Sequence, residues 1–273
     1  MVDYRGFDVI DVNHHLNDVN HHLATEAHLR AQNADSRGSE ASVELSTRLA
    51  IMDAQQVRGA VVIAGSGYLR PRGVTDTMAV NDAVAAYRDS EPKRFVAAVG
   101  HVDPLYGPAG VDEVTRCRSE LGLAGISFQG MGFMMRPLVA RAGELGLVPF
   151  IHAGRPNETI WQVDSLARDF PDLTMVVLYI FNDIGQLGSL AEVAERRPNL
   201  YFDLSGSTSF ETMGLPQLRP IGARRFLYGT CTHSWPVHTR PFGELLPDIA
   251  GSDLPADDKA AILGGNVKRI LGL

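Results

Sequence analysis

The sequence predicts a (β/α)8 barrel, the TIM-barrel architecture, formed as one domain over residues 1–273. Three observations carry that expectation. About eight short β-rich runs alternate with helically periodic segments over roughly 250 residues, which is the element arithmetic of such a barrel. The runs are almost continuously apolar, as in GAVVIA at 59–64 and LVPFIH at 147–152, and that pattern belongs to parallel strands buried on both faces. Polar and titratable residues stand just after the runs, where a barrel of this kind assembles its active site. A doubly wound open sheet is the competing architecture.

Taken in order, FDVIDVNHHL at 7–16 is the first strand. Strand alternation places Asp11, Asn13 and His15 on one face and Ile10, Val12 and His14 on the other. DVNHHL at 11–16 is repeated at 18–23, and the polar, Ser/Gly-containing stretch 17–40 reads as a long loop or lid over the strand ends. A helix is expected over 40–56 and a second strand over 59–64. The alternation continues with a helix over 75–88, with Asn81 and Asp82 facing outward, and a strand over 94–100. Helix 110–121, strand 124–128, helix 134–145 and strand 147–152 follow. Helix 157–169, strand 173–179, helix 183–196, strand 199–205 and strand 225–230 complete the series.

Composition narrows the function. With 45% hydrophobic and 21% charged residues the chain has a sizeable core. A formal charge of -7 offers no basic surface for nucleic acid or an anionic membrane, so the expected partners are a small-molecule substrate and further copies in a homo-oligomer. The N-terminal residues lack a signal-peptide pattern and no apolar run approaches the roughly 20 residues that span a bilayer, so a cytoplasmic location is expected. Cys117 and Cys231 are too few for a disulfide framework and read as thiols. No GxGxxG, Walker-type phosphate loop or GxSxG elbow is present. Trp161 and Trp235 read as core or pocket wall.

The residues after the strands are Asn13, His15, Gly65, His101, Gln129, His152, Tyr179, Ser205 and Cys231. In a barrel they converge on one mouth. Imidazole exchanges protons near neutral pH, so His15 and His152 are candidate acid and base groups. Tyr179 offers a hydrogen-bond donor to a developing oxyanion. Cys231 is either a nucleophile or proton donor, or a small buried hydrophobe. Arg155 is placed to meet a substrate carboxylate, and His233 stands just beyond Cys231.

The pieces IDVNHHL, GISF, PFIHAG, FPDLTMVVLYI, NLYFDLSG, RFLYGTCT and GGNVKRILGL, in this order, resemble the amidohydrolase superfamily. The resemblance is to the branch containing aminocarboxymuconate-semialdehyde decarboxylase, resorcylate decarboxylases and a metal-independent pyrone-dicarboxylate lactonase. It implies a barrel with a divalent metal at its mouth. The family's His-x-His falls on Asn13 and His15, its strand-five histidine on His152, its strand-six histidine on Tyr179 and its strand-eight aspartate on Cys231. Only His15 and His152 keep the family residue. The expected function is therefore that of a metal-independent hydrolase or lyase, such as a decarboxylase, acting on a small carboxylated or cyclic organic substrate without a cofactor. His15, His152, Tyr179 and Cys231 are its expected catalytic residues, and Asn13, His101, Gln129, Arg155, Ser205 and His233 its substrate-binding residues. A zinc enzyme with His15, His152 and Cys231 as altered ligands is one alternative. A catalytically inactive, ligand-binding barrel is the other.

Overall fold

The computed structural model describes residues 6–16, 37–65, 71–128, 132–154, 158–234, 237–238 and 245–273. Eight parallel strands form one sheet in sequential order. They are β1 (Ile10–Leu16), β2 (Gly59–Ala64), β3 (Phe95–His101), β4 (Gly125–Phe128), β5 (Val148–His152), β6 (Met175–Leu178), β7 (Leu200–Asp203) and β8 (Phe226–Leu227). Val12 N donates to Tyr228 O at 2.9 Å and His15 N to Thr232 O at 2.8 Å. These bonds join the first strand to the chain just after the last one, so the sheet closes into the TIM barrel and the open doubly wound sheet is ruled out.

Helices cover the outside. α1 (Arg37–Ala54), α2 (Val74–Ser90), α3 (Pro108–Ser119), α4 (Arg136–Glu144) and α5 (Ile160–Asp169) follow β1 to β5 in turn. α6 (Ile184–Leu187) and α7 (Leu190–Arg196) follow β6, and α8 (Leu215–Ile221) follows β7. A short antiparallel pair, β9 (His233–Ser234) and β10 (Val237–His238), comes after β8. It precedes α9 (Leu245–Gly251), α10 (Ala256–Ala260) and α11 (Asn266–Leu271). No helix among the described residues is long and apolar enough to cross a membrane.

Strand alternation sorts the apolar side chains into two layers. Ile10, Val12, Val61, Ile63, Ala97, Val99, Phe150 and Val176 fill the barrel interior. Ala60, Val62, Ala98, Ile126, Ile151 and Val177 pack outward against the helices. Small and large residues are matched inside: a Cβ on Gly125 would stand 2.8 Å from the Phe150 ring, so the glycine makes room for that ring. At the seam, Asn266 Nδ2 donates to Ala223 O at 2.9 Å and to Phe226 O at 2.7 Å, fixing the start of β8. A Cβ on Gly264 would lie 2.0 Å from Asp8 O, so the segment before α11 passes directly against the entry to β1.

Several expectations need correction. The register between β1 and β2 shifts between Asp11 and His14, a β-bulge that puts two residues of β1 opposite one of β2. Simple alternation therefore fails. Ile10 and Val12 lie in the interior cluster, Asn13 reaches across to β7, and Asp11 and His14 pair with each other at 2.9 Å. The helix expected over 40–56 begins at Arg37, so residues 37–40 of the supposed lid are helical, while 17–36, with the repeat at 18–23, lie outside the described residues. Asn81 is fully buried rather than outward, because its amide brackets the His101 backbone: His101 N donates to Oδ1 at 2.7 Å and Nδ2 donates to His101 O at 3.0 Å. Asp82 does face solvent. Trp161 is 51% exposed and is no pocket wall, and Trp235 lies outside the described residues. The eighth strand is shorter than expected because Tyr228 N turns away to Ile262 O at 3.0 Å.

Gly154, just after β5, has φ +84, and a Cβ there would meet Tyr179 O at 2.0 Å. Gly154→Ala should therefore lower unfolding free energy by about 3 kcal/mol or more, combining overpacking with left-handed strain. Gly146→Ala, at φ +69 with nothing within 4 Å, should cost only about 1 kcal/mol. Urea unfolding of the two variants checks this, and equal losses would remove the role given to the Gly154 approach.

Candidate active site

Four of the residues expected to do chemistry meet at the C-terminal ends of the strands. His15 lies on β1, beside Ile63 of β2, and is turned inward by the bulge. His152 ends β5, in line with Val148 and Phe150 of the interior layer. Tyr179 follows β6 and Cys231 follows β8. The Tyr179 hydroxyl is hydrogen-bonded to His15 Nε2. The Cys231 thiol donates to the Tyr179 oxygen over 3.5 Å. The His15 and Tyr179 rings are nearly parallel with centroids 5.8 Å apart, and His152 meets the Tyr179 ring edge-on at 5.0 Å. All four side chains are buried.

Tyr179 and Cys231 share a further property. They have φ 65 and φ 54, and among the described residues Gln56 is the other non-glycine with positive φ. Such a conformation costs an L-residue about 1–2 kcal/mol and persists where surrounding packing over-determines it. Here it ends β6 and turns the phenol back over the barrel axis to reach His15.

A second group lies beside the first. Asn13 Nδ2 donates at 2.8 Å to Asp203 Oδ2 and at 2.8 Å to Ser205 Oγ. Ser205 donates to Asp203 through both its hydroxyl and its backbone N–H, the latter at 2.9 Å. Gly229 leaves room for this contact, since a Cβ there would fall 2.2 Å from Asp203 Oδ1. Burial pushes the Asp203 carboxyl up to about 7, against the lowering effect of its Ser205 and Asn13 hydrogen bonds. Sequence reasoning took Ser205 as the strand-end residue and missed Asp203. The available signal was the inward alternation of Tyr201 and Asp203 along NLYFD.

Asp11, at the bulge of β1, is a further buried carboxylate. It accepts hydrogen bonds from Asn13 N at 3.0 Å, Thr230 N at 3.0 Å, the Thr230 hydroxyl and His14 Nδ1 at 2.9 Å. Burial raises its pKa, but the His14 hydrogen bond and charge, with those from Thr230 and Asn13, outweigh burial and hold it below the ordinary value. It ties the bulge to the turn that presents Cys231.

Of the remaining expected residues, His101 is fully buried at the end of β3 with Nδ1 3.0 Å from Ser127 Oγ. Gln129 and Arg155 lie outside the described residues, and of His233 only the backbone, in β9, is described. Among the described residues no group of three His, Cys, Asp or Glu side chains converges as a metal cage. A surface cleft lined by Phe210, Arg219, Asp248 and Asp253 lies on the flank between α8 and α9 and contains none of the strand-end residues.

The raised Asp203 pKa has a consequence for stability. Between pH 3.8 and about 7 the unfolded chain has released this proton while the folded chain keeps it. The stabilising contribution is therefore complete at low pH and falls as pH rises through that window, by at most about 1.4 kcal/mol per unit. Asp203→Asn should remove this slope, gaining stability relative to the unsubstituted protein between pH 5 and 7 in urea titrations. Parallel pH profiles of the two proteins would show that Asp203 does not titrate there.

Comparison with known proteins places the fold and the family. The chain resembles 5-carboxyvanillate decarboxylase LigW from Sphingomonas paucimobilis, at 19% identity and TM-score 0.72, over 98% of this chain and 99% of that one. It also resembles a dihydroxybenzoic acid decarboxylase from Polaromonas sp. JS666, with bound manganese and 2-nitroresorcinol, at 16% identity and TM-score 0.73, covering 98% and 97% of the two chains. A third similar structure is 4-oxalomesaconate hydratase LigJ from Rhodopseudomonas palustris, at 16% identity and TM-score 0.69, covering 97% and 95%. These likenesses concern the fold. No curated protein matches the chain by sequence. The amidohydrolase family profile (Amidohydro_2) matches residues 10–273, and the chain belongs to that family.

Proposed function

We propose that the protein is a metal-independent lyase that decarboxylates a small, hydroxylated aromatic or cyclic carboxylate by acid and base chemistry at the barrel mouth. The observation that carries this reading is the hydrogen bond between Tyr179 and His15 Nε2, with the Cys231 thiol on the same phenol oxygen. The resemblance places ligands of a divalent metal at Asn13, His15, His152, Tyr179 and Cys231, and the residues present do not fit that metal. A ligating imidazole turns a ring nitrogen to the ion, yet His15 Nε2 is turned to the phenol. Asn13 is anchored by its amide to Asp203 and Ser205, and tyrosine and asparagine are poor ligands beside histidine and carboxylate. The lyase class is supported by the similar structures, whose names are those of decarboxylases and a hydratase.

The chemistry asked of the residues is modest. In a decarboxylation of this class an acid delivers a proton to the ring carbon bearing the carboxylate. The carbon–carbon bonding pair then returns to the ring as carbon dioxide leaves. His152, in edge contact with Tyr179 and beside the His15–Tyr179 pair, is assigned that proton. Tyr179 and His15 together hold the hydrogen-bonding position over the substrate's oxygen. A general acid of this kind contributes about 100-fold to 10,000-fold.

The test uses turnover and metal content together, with 2,6-dihydroxybenzoate and 5-carboxyvanillate as first substrates and carbon dioxide release as the readout. His152→Asn should lower turnover about 100-fold or more with folding preserved, and Cys231→Ser should cost less. Activity should survive chelation, and dialysed protein should hold well under one equivalent of zinc or manganese. A stoichiometric metal whose removal abolishes turnover would hand the site to a zinc-type enzyme with altered ligands. Full activity in His152→Asn with none in Cys231→Ser would replace acid catalysis by covalent catalysis through the thiol.

A further inference from the structure

Resting on the reading that the mouth takes a hydroxylated carboxylate, we propose that Asn13 is a specificity-determining residue whose side-chain oxygen accepts the O–H of the substrate. The starting observation is an unsatisfied atom. Asn13 is fully buried, its Nδ2 makes two hydrogen bonds, and its Oδ1 has no partner among the described residues. A buried acceptor left without a donor costs about 1–3 kcal/mol, and native structures hold few of them.

The orientation of the amide is fixed by its surroundings. Both protons of Nδ2 are engaged, by Asp203 Oδ2 and Ser205 Oγ at 2.8 Å each. Turning the amide over would set Oδ1 against Ser205 Oγ, whose proton is given to Asp203 Oδ2, and, with Asp203 ionised, against a second acceptor. Oδ1 is therefore held away from the end of β7, on the strand whose bulge also turns His15 inward. The anchorage is specific to this arrangement, because any side chain at Gly229 would collide with Asp203 Oδ1 at 2.2 Å and crowd Asn13 Cβ at 3.1 Å.

The chemistry of Oδ1 selects its ligand. An amide oxygen is an acceptor only. It repels a carboxylate or an ether oxygen and welcomes a hydroxyl proton. A substrate with a carboxylate alone would leave Oδ1 unsatisfied, whereas a ring hydroxyl completes it. An enzyme built to hydrogen-bond a hydroxyl rejects the analogue that lacks it much more strongly than an apolar pocket rejects a change of one methylene.

Isothermal titration with 2,6-dihydroxybenzoate and with 2,6-difluorobenzoate, in a His152→Asn background that suppresses turnover of the first, tests this, since the second keeps charge and approximate size but donates no hydrogen bond. The dihydroxy acid should bind about tenfold more tightly or better. Asn13→Ala should shrink that preference to about twofold. Equal binding of the two acids where Asn13 is kept, or a full preference in a folded Asn13→Ala, would overturn the proposal. Should the variant not fold, the side-chain carbonyl carbon of Asn13 in labelled protein should shift with the dihydroxy acid alone; no shift at saturation overturns it. Failure of both acids to bind would instead remove the aromatic-carboxylate reading, and the proposal with it.

Discussion

The mouth of this barrel depends on one buried carboxylate. Asp11 accepts hydrogen bonds from the backbone of Asn13 and Thr230 and from the side chains of Thr230 and His14. Hydrogen bonds to a charged group contribute about 1.5–3 kcal/mol each. The carboxylate does two things at once. It stabilises the bulge in β1, and it fastens the turn after β8 to that bulge. Asn13 and His15 face inward because of the first effect, and Cys231 reaches Tyr179 because of the second. Loss of the carboxylate would leave several buried donors without an acceptor, so its removal would loosen the whole constellation rather than one contact.

The cluster is ordered by contacts among its own side chains. A metal ion draws several side chains to a common centre from outside. Here three of the side chains at those positions bond one another, thiol to phenol and phenol to imidazole. The backbone pays for this with positive φ at Tyr179 and Cys231, and the surrounding close packing, such as Gly154 against the Tyr179 carbonyl, holds the conformation in place. The result is a buried, pre-arranged set of proton-bearing groups, in which electrostatic effects are stronger than they would be in water.

Much of this was legible in the sequence, and the reasons for the rest are physical. The strands were legible because a parallel barrel buries both faces, which writes itself as apolar runs. The meeting of His15, His152, Tyr179 and Cys231 was legible because strand ends converge. The facing of β1 was not. One extra residue in a bulge inverts the parity of everything beyond it, and its anchor, Thr230, is 219 positions away. Asn81 was misplaced for a similar reason. A polar residue on a helix reads as solvent-facing until its partners, Glu113 and the His101 backbone, are known. Asp203 was hidden behind Ser205, because two polar residues at one strand end differ only in which way each points.

The seam between β1 and β8 has a consequence for how the chain is made. The first strand must wait for partners that leave the ribosome last: Tyr228 for its ladder, Thr230 for Asp11, and Asn266 for the carbonyls that begin β8. Closing so long a loop is entropically costly and slow relative to local contacts. Until then β1 presents an open edge, and His15 is apart from His152 and Tyr179. Assembly of the mouth and closure of the barrel are thus the same late event, so a nascent or truncated chain with its seam open lacks the strand-end cluster and is prone to pair its free edge with another chain.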